Sequence, residues 1–145
     1  MAQNLEVCSI SPELFERVKK FRFRKEKTSA AIIMKIDVES MTIIEDDTVD
    51  EDTMNDLKIE DLEAELPTHE PRYVALSYCY HHDDGRVSYP LVFIFVSPQG
   101  IKPELQMMYA GSKLTLVNKC GFTKVYELRG TDELTEEWLL SKLKK

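Results

Sequence analysis

His81-His82-Asp83-Asp84 sets imidazoles and carboxylates side by side in the sequence, and these are the groups that hold zinc and related ions. The spacing works against such a site. Neighbouring side chains on an extended chain point to opposite faces, so four consecutive residues cannot easily converge on one ion. Asp84-Gly85 instead supplies the positive φ of a tight turn, and the segment His82–Arg86 reads as an exposed hairpin tip. Cys8, Cys79 and Cys120 form no CxxC pair and are odd in number, so neither a disulfide framework nor a zinc module is expected. They read as small apolar fillers. No Gly-rich phosphate loop, GxSxG elbow or HExxH motif occurs. Paired carboxylates could act as acid and base in the stretch 45–65, but acids in such number read as a solvated loop. The expectation is a protein that is not an enzyme and takes no cofactor and no metal.

The elements follow from capping and periodicity. Ser11-Pro12-Glu13 is a helix start, with Leu14, Val18 and Phe21 as its buried stripe and Phe15 alongside. The apolar run Ala30–Ile36, the polar turn Asp37–Ser40 and Met41–Ile44 predict a hairpin. Ile59–Leu66 predicts a short helix stopped by Pro67. Arg72–Tyr80 predicts a strand with Tyr73, Ala75, Ser77 and Cys79 on one face and Val74, Leu76, Tyr78 and Tyr80 on the other. The return strand Val87–Val96 is apolar on both faces at Leu91–Val96, the mark of a central strand with layers above and below. Pro103 opens a long helix to about Asn118, ended near Gly121. Phe122–Leu128 predicts a strand, and Thr131 or Asp132 is expected to cap a last helix holding Leu134, Trp138, Leu139 and Leu143. The order is α-β-β-α-β-β-α-β-α, with helices flanking one mixed sheet and no linker dividing residues 1–145.

Charge is segregated along this chain of 145 residues and net charge −7. Residues 45–65 hold eleven acids against Lys58 as the one base, while 17–27 hold Arg17, Lys19, Lys20, Arg22, Arg24, Lys25 and Lys27 against Glu26. Such poles steer partners by their field. A pI near 5.0 without an RNP, KH or zinc-finger pattern excludes nucleic acid as the expected partner. The longest apolar run, Leu91–Val96, falls far short of the ~18–20 residues of a membrane helix. The start Met1–Glu6 lacks the basic and apolar pattern of a signal peptide. A single domain of the cytoplasm or nucleus is expected.

The long helix is the informative element. Leu105, Tyr109, Ser112 and Leu116 form one stripe, assigned to the core. Met107, Ala110, Gly111 and Leu114 form a second. A helix lying on one sheet needs a single apolar face. A methionine beside small residues, with a mid-helix glycine costing ~1 kcal/mol, points to a backbone left open for a partner.

The residues Pro103–Lys113, read PELQMMYAGSK and preceded by Tyr89–Phe95, resemble the actin-depolymerising factor homology (ADF-H) family. More narrowly, Lys20–Lys25, Ala30–Asp37, the run His82–Pro90 (HDDGRVSYP) and Leu134–Leu139 resemble its glia maturation factors. The resemblance runs over almost the whole chain; the acidic loop Asp46–Thr53 is less typical and somewhat longer. It implies one ADF-H domain of α/β (α+β) type, a central mixed sheet between two pairs of helices. It also implies a monomeric actin regulator that binds the branch-nucleating actin-related protein complex, suppresses branch nucleation and releases existing branches. The expected location is the cytoplasm at branched networks of the cell cortex and lamellipodium, with the nucleus as a second compartment. The first contact surface would comprise Lys19, Lys20, Arg22, Arg24, Glu104, Met107, Ala110, Gly111, Ser112 and Lys113, seated in the barbed-end groove of an actin-related subunit. A second surface would involve Asp84, Arg86 and Glu137. The alternative is cofilin-like binding and severing of actin filaments. Cofilin-type members carry basic pairs where this chain has Glu104 and Gln106 on the long helix, and Val87 and Ser88 at the expected start of the central strand. Loss of that positive charge should weaken docking to acidic actin surfaces.

Overall fold

The computed structural model describes residues 8–25, 27–46 and 56–143. The elements are β1 (Ser9–Ile10), α1 (Pro12–Arg22), β2 (Ala30–Asp37), β3 (Thr42–Glu45), α2 (Ile59–Glu65), β4 (Arg72–Ser77), β5 (Tyr80–His81), β6 (Val87–Ser88), β7 (Leu91–Val96), α3 (Pro103–Cys120), β8 (Lys124–Leu128) and α4 (Glu136–Leu143). The expected caps are in place at α1 and α3. Ser11 Oγ accepts the Leu14 N–H at 3.4 Å, and Gly121 ends α3 in the left-handed region at φ 75°. Gly85, at φ 92°, makes the hairpin turn that Asp84-Gly85 predicts.

Three expectations change. The strand over Arg72–Tyr80 stops at Ser77, and that over Val87–Val96 is interrupted at Tyr89 and Pro90. Pro90 has no N–H to donate, so the ladder cannot continue through it; its carbonyl still accepts the Tyr78 N–H at 3.1 Å. The Cys79 N–H turns instead to Ser29 Oγ at 2.8 Å, and β5 and β6 form a separate two-stranded ribbon. Val87 and Ser88 therefore lie on the ribbon and not on the central strand. The last helix is capped by Thr135, whose Oγ1 accepts the Trp138 N–H at 3.0 Å. Thr131 opens only a short 3-10 turn, Thr131–Glu133, and Leu134 lies between the two. Finally, Asp46 does not belong to a solvated loop: it is buried and accepts Arg72 Nε at 3.0 Å. The rest of the acidic loop expected over Asp46–Thr53, like 54–55, lies outside the described residues.

The main sheet has the order β1-β3-β2-β4-β7-β8. β2, β3, β4 and β7 pair antiparallel, while β1 and β8 join the two edges in parallel. Alternation divides the core into two layers. Ile32, Met34, Tyr73, Ala75, Phe93 and Phe95 face α1 and α3. Ile33, Val74, Leu76, Val92 and Ile94 face α2 and α4. This is the mixed sheet between two helix pairs that the resemblance implies. No described helix is long and apolar enough to cross a membrane.

Register defines two ends of the sheet. At one, Ala30 lies beside Ser77, and Ser77 beside Leu91; at the other, Asp37 lies beside Thr42. α1 starts near the Asp37 end, where the Ser11 N–H donates to the Ile43 carbonyl at 3.0 Å. It finishes at the Ala30 end, where Arg22 donates to the Cys120 carbonyl that ends α3. The two helices thus run parallel.

Candidate functional site

α3 lies on the sheet by one face. Tyr109, Ser112 and Leu116 are buried, and Leu105 is half-buried. The Tyr109 phenol oxygen accepts the Ile36 N–H at 2.9 Å, while the Tyr73 hydroxyl donates to the Tyr109 carbonyl. Burial pushes the pKa of both phenols up. Ser112, assigned to the core by its stripe and to the docking face by resemblance, belongs to the core alone. It is 0% exposed, and its Oγ accepts the Cys8 N–H at 3.0 Å.

The opposite stripe is a ridge in solvent. Met107 is 68% and Leu114 66% exposed, and Ala110 and Gly111 stand open between them. Gly111 has nothing within 4 Å of where a Cβ would stand, so no internal contact requires a glycine there. Lys113 flanks the ridge half-buried, its Nζ 3.8 Å from Glu127 and 6.0 Å from the centre of the Phe95 ring. Glu104 is exposed in the first turn of α3. A shallow cavity of about 430 Å³ opens beside α3, lined by Ile10, Pro12, Phe15, Thr115 and Lys119.

The basic cluster is not beside Met107. It sits where α1 ends, at the Cys120 end of α3, which a rise of ~1.5 Å per residue places roughly 20 Å from Met107 along the axis. Lys19 and Lys20 are exposed there, with Lys19 Nζ 3.7 Å from Glu16. Arg22 is committed to the Cys120 carbonyl, and its guanidinium lies over Gly121. Arg24 donates to the Thr28 carbonyl at 2.8 Å. Two of the four expected docking cations therefore brace the fold as well.

The second surface lies at the same Ala30 end. Asp84 and Arg86 are exposed and paired at 2.7 Å. The Arg86 backbone N–H, then its guanidinium, hold the Asp84 carboxyl below its ordinary pKa. Glu137 is exposed on the first turn of α4. Its neighbour Glu136 accepts the Tyr78 hydroxyl at 2.6 Å, which ties α4 to the base of the ribbon. Trp138 packs edge-on against Tyr126 at 5.8 Å and belongs to the core margin.

No group of His, Cys, Asp and Glu able to hold a metal occurs among the described residues. His82 contacts Ser88 Oγ at 2.7 Å, whereas His81 Nε2 faces Cys79 Sγ at 3.8 Å. Cys8 and Cys120 are buried fillers as expected; Cys79 is only half-buried. Burial pushes the Cys120 thiol pKa up, and Arg22 partly offsets this.

The cofilin/tropomyosin-type actin-binding protein model matches residues 7–144. The chain belongs to this family. Within it, human glia maturation factor beta is 52% identical over 143 residues, covering 99% of this chain and 97% of its own length. Glia maturation factor of Drosophila melanogaster is 48% identical over 139 residues, 96% of this chain and 97% of its own. The solution structure of glia maturation factor from Caenorhabditis elegans superposes with a TM-score of 0.79 at 44% identity, over 98% of this chain and 99% of that one. Actin depolymerization factor 2 of Plasmodium berghei, at 24% identity and TM-score 0.78, shares the fold. The family is one of actin-binding regulators, and the glia maturation factors are the relatives this chain matches over nearly its full length.

Proposed function

We propose that the protein binds the branch-nucleating actin-related protein complex, inhibits branch nucleation and promotes debranching. The α3 ridge would occupy the barbed-end groove of an actin-related subunit, where the first actin of the daughter filament otherwise sits. The observation that carries this reading is the ridge itself. Met107 and Leu114 are exposed on either side of a glycine that no internal contact demands, which suits an apolar helix face laid into a groove. The positive pole at the end of α1 would steer association towards an acidic rim. Action by occupancy needs no bond chemistry, and the protein would work as a monomer in the cytoplasm at cortical and lamellipodial branched networks, with the nucleus as a second location.

Real-time imaging of branched networks assembled from purified components, paired with pelleting on unbranched filaments, tests this. The expected result is faster branch loss without binding or severing of plain filaments. Met107→Asp should abolish the effect and leave the melting temperature nearly unchanged, because the side chain stands in solvent. Fragmentation of unbranched filaments would establish the cofilin-like alternative and show that Glu104 and Gln106 do not weaken actin docking.

A further inference from the structure

The ladder between β2 and β4 ends early. Its last pair is Met34 with Tyr73, and Pro71, lacking an N–H, gives β4 no donor with which to continue. The Ile36 N–H donates instead to the Tyr109 phenol at 2.9 Å. A cavity of about 430 Å³ opens where the two strands part, within the ~300–1,000 Å³ of small-molecule sites. Ile36, Val38, Ile44 and Leu105 form its apolar wall, and Lys35, Arg72 and Tyr109 line it too. The acids near it have partners. Asp37 accepts the Glu39 N–H at 3.3 Å and the Ser40 hydroxyl at 3.0 Å. Asp46 accepts Arg72 Nε at 3.0 Å, and Glu70 lies 3.1 Å from Nη1. The donors are less well served. Lys35 is half-buried and makes no ion pair among the described residues. Arg72 is 8% exposed, and none of its contacts with Asp46, Glu70 and the Pro71 carbonyl uses Nη2. Tyr109 is 2% exposed, and its own O–H meets no acceptor among the described residues. A buried donor left without an acceptor is destabilising, and a ligand oxygen placed there relieves it.

We propose that this cavity binds a small monocarboxylic acid with an aromatic or branched hydrocarbon body. The carboxylate accepts from the Tyr109 O–H and from the Arg72 guanidinium, whose planar fork suits it, and Lys35 adds its charge. The hydrocarbon lies against Ile36, Val38, Ile44 and Leu105. Glu70, with a side chain 60% exposed, turns to solvent. Lys35 and Arg72 then face the ligand and Asp46, two charges against two. An amine fits worse, because it would leave the donors unpaired and meet carboxylates that already have partners. Inorganic phosphate would leave the apolar wall unfilled. None of these residues belongs to the α3 ridge, the basic cluster or the second surface, so the site is independent of the proposed partner.

The test titrates the isotope-labelled full chain with phenylacetate and follows its amide resonances. Expected are saturation with a dissociation constant of about 1 mM and shifts clustered at 35–38, 70–73 and 105–109. Tyr109→Phe, Lys35→Ala and Val38→Asp should each weaken binding about tenfold, and Met107→Asp should leave it unchanged. Glu70→Gln should bind several-fold more tightly, because it no longer competes for Arg72. Phenethylamine should shift nothing. Melting curves confirm that each variant is folded. Tyr109→Phe also loses the bond to Ile36, so Lys35→Ala and Glu70→Gln, both outside the core, decide the matter if it fails to fold. Shifts that never saturate with phenylacetate, tighter binding of phenethylamine, or weaker phenylacetate binding on Glu70→Gln would overturn the proposal.

Discussion

Gly111 separates folding from binding more cleanly than any other residue of the ridge. A glycine inside a helix costs ~1 kcal/mol relative to alanine, and the open space around its Cα means that a methyl group would meet nothing in the free protein. Gly111→Ala is therefore expected to stabilise the fold by roughly 1 kcal/mol in urea denaturation while weakening the proposed binding to the branch complex. Unchanged affinity in the stabilised variant would remove close backbone approach from the account. Ser112, one position on, shows the opposite case: its hydroxyl serves the Cys8 N–H, and its place next to Gly111 in the sequence says nothing about a partner.

At the scale of elements, α1 and α3 are joined at their ends by a single side chain. Arg22 donates to the last carbonyl of α3, where the helix dipole is negative and carbonyls lack intrahelical partners. Arg22→Ala should lower stability by about 1 kcal/mol, whereas Lys20→Ala should stay within ~0.5 kcal/mol. Both remove one charge from the same pole, so both should slow association to a similar degree in a salt-dependent way. Equal stabilities would mean that Arg22 contributes only charge. This distinction was not legible in the sequence, because a guanidinium and a carbonyl of residues 22 and 120 share no local pattern. What was legible came from periodicity and local capping: the two stripes of α3, the Ser11 cap, the Gly121 stop and the apolar run of β7. Thr131 and Thr135 are both competent caps by residue type, and local sequence does not choose between them; the buried Leu134 lies between the two. Asp46 looked like its acidic neighbours because its partner Arg72 is remote in sequence.

For the whole molecule, the buried phenols set an alkaline limit. Tyr73 and Tyr109 lie between α3 and the sheet, and burial raises their folded-state pKa values above the ordinary 10.0; Tyr78 is raised by burial and by its bond to Glu136. Below pH ~10 the phenols are neutral in both states and their contribution is fully present. Above it the unfolded chain releases protons that the folded protein retains, so stability falls as pH rises towards the folded-state values. Urea midpoints should be flat in this contribution from about pH 8 to 9 and drop beyond pH 10, with a shallower drop in Tyr73→Phe. An identical slope in that variant would rule Tyr73 out as a source. The charge poles belong to this scale too: both were read directly from residue counts, but the distance of the basic one from Met107 emerged only from the parallel course of α1 and α3.

The two hydrogen bonds of Tyr109 also have a mechanical meaning. Its phenol is held by the backbone of β2 and its carbonyl by Tyr73 of β4, so one residue of α3 is fastened to two inner strands, directly beneath Ala110 and within a turn of Met107. A load applied to the ridge passes into the sheet before it can bend or peel the helix. Under the proposed docking, the adjustment on seating would fall on the partner more than on this helix.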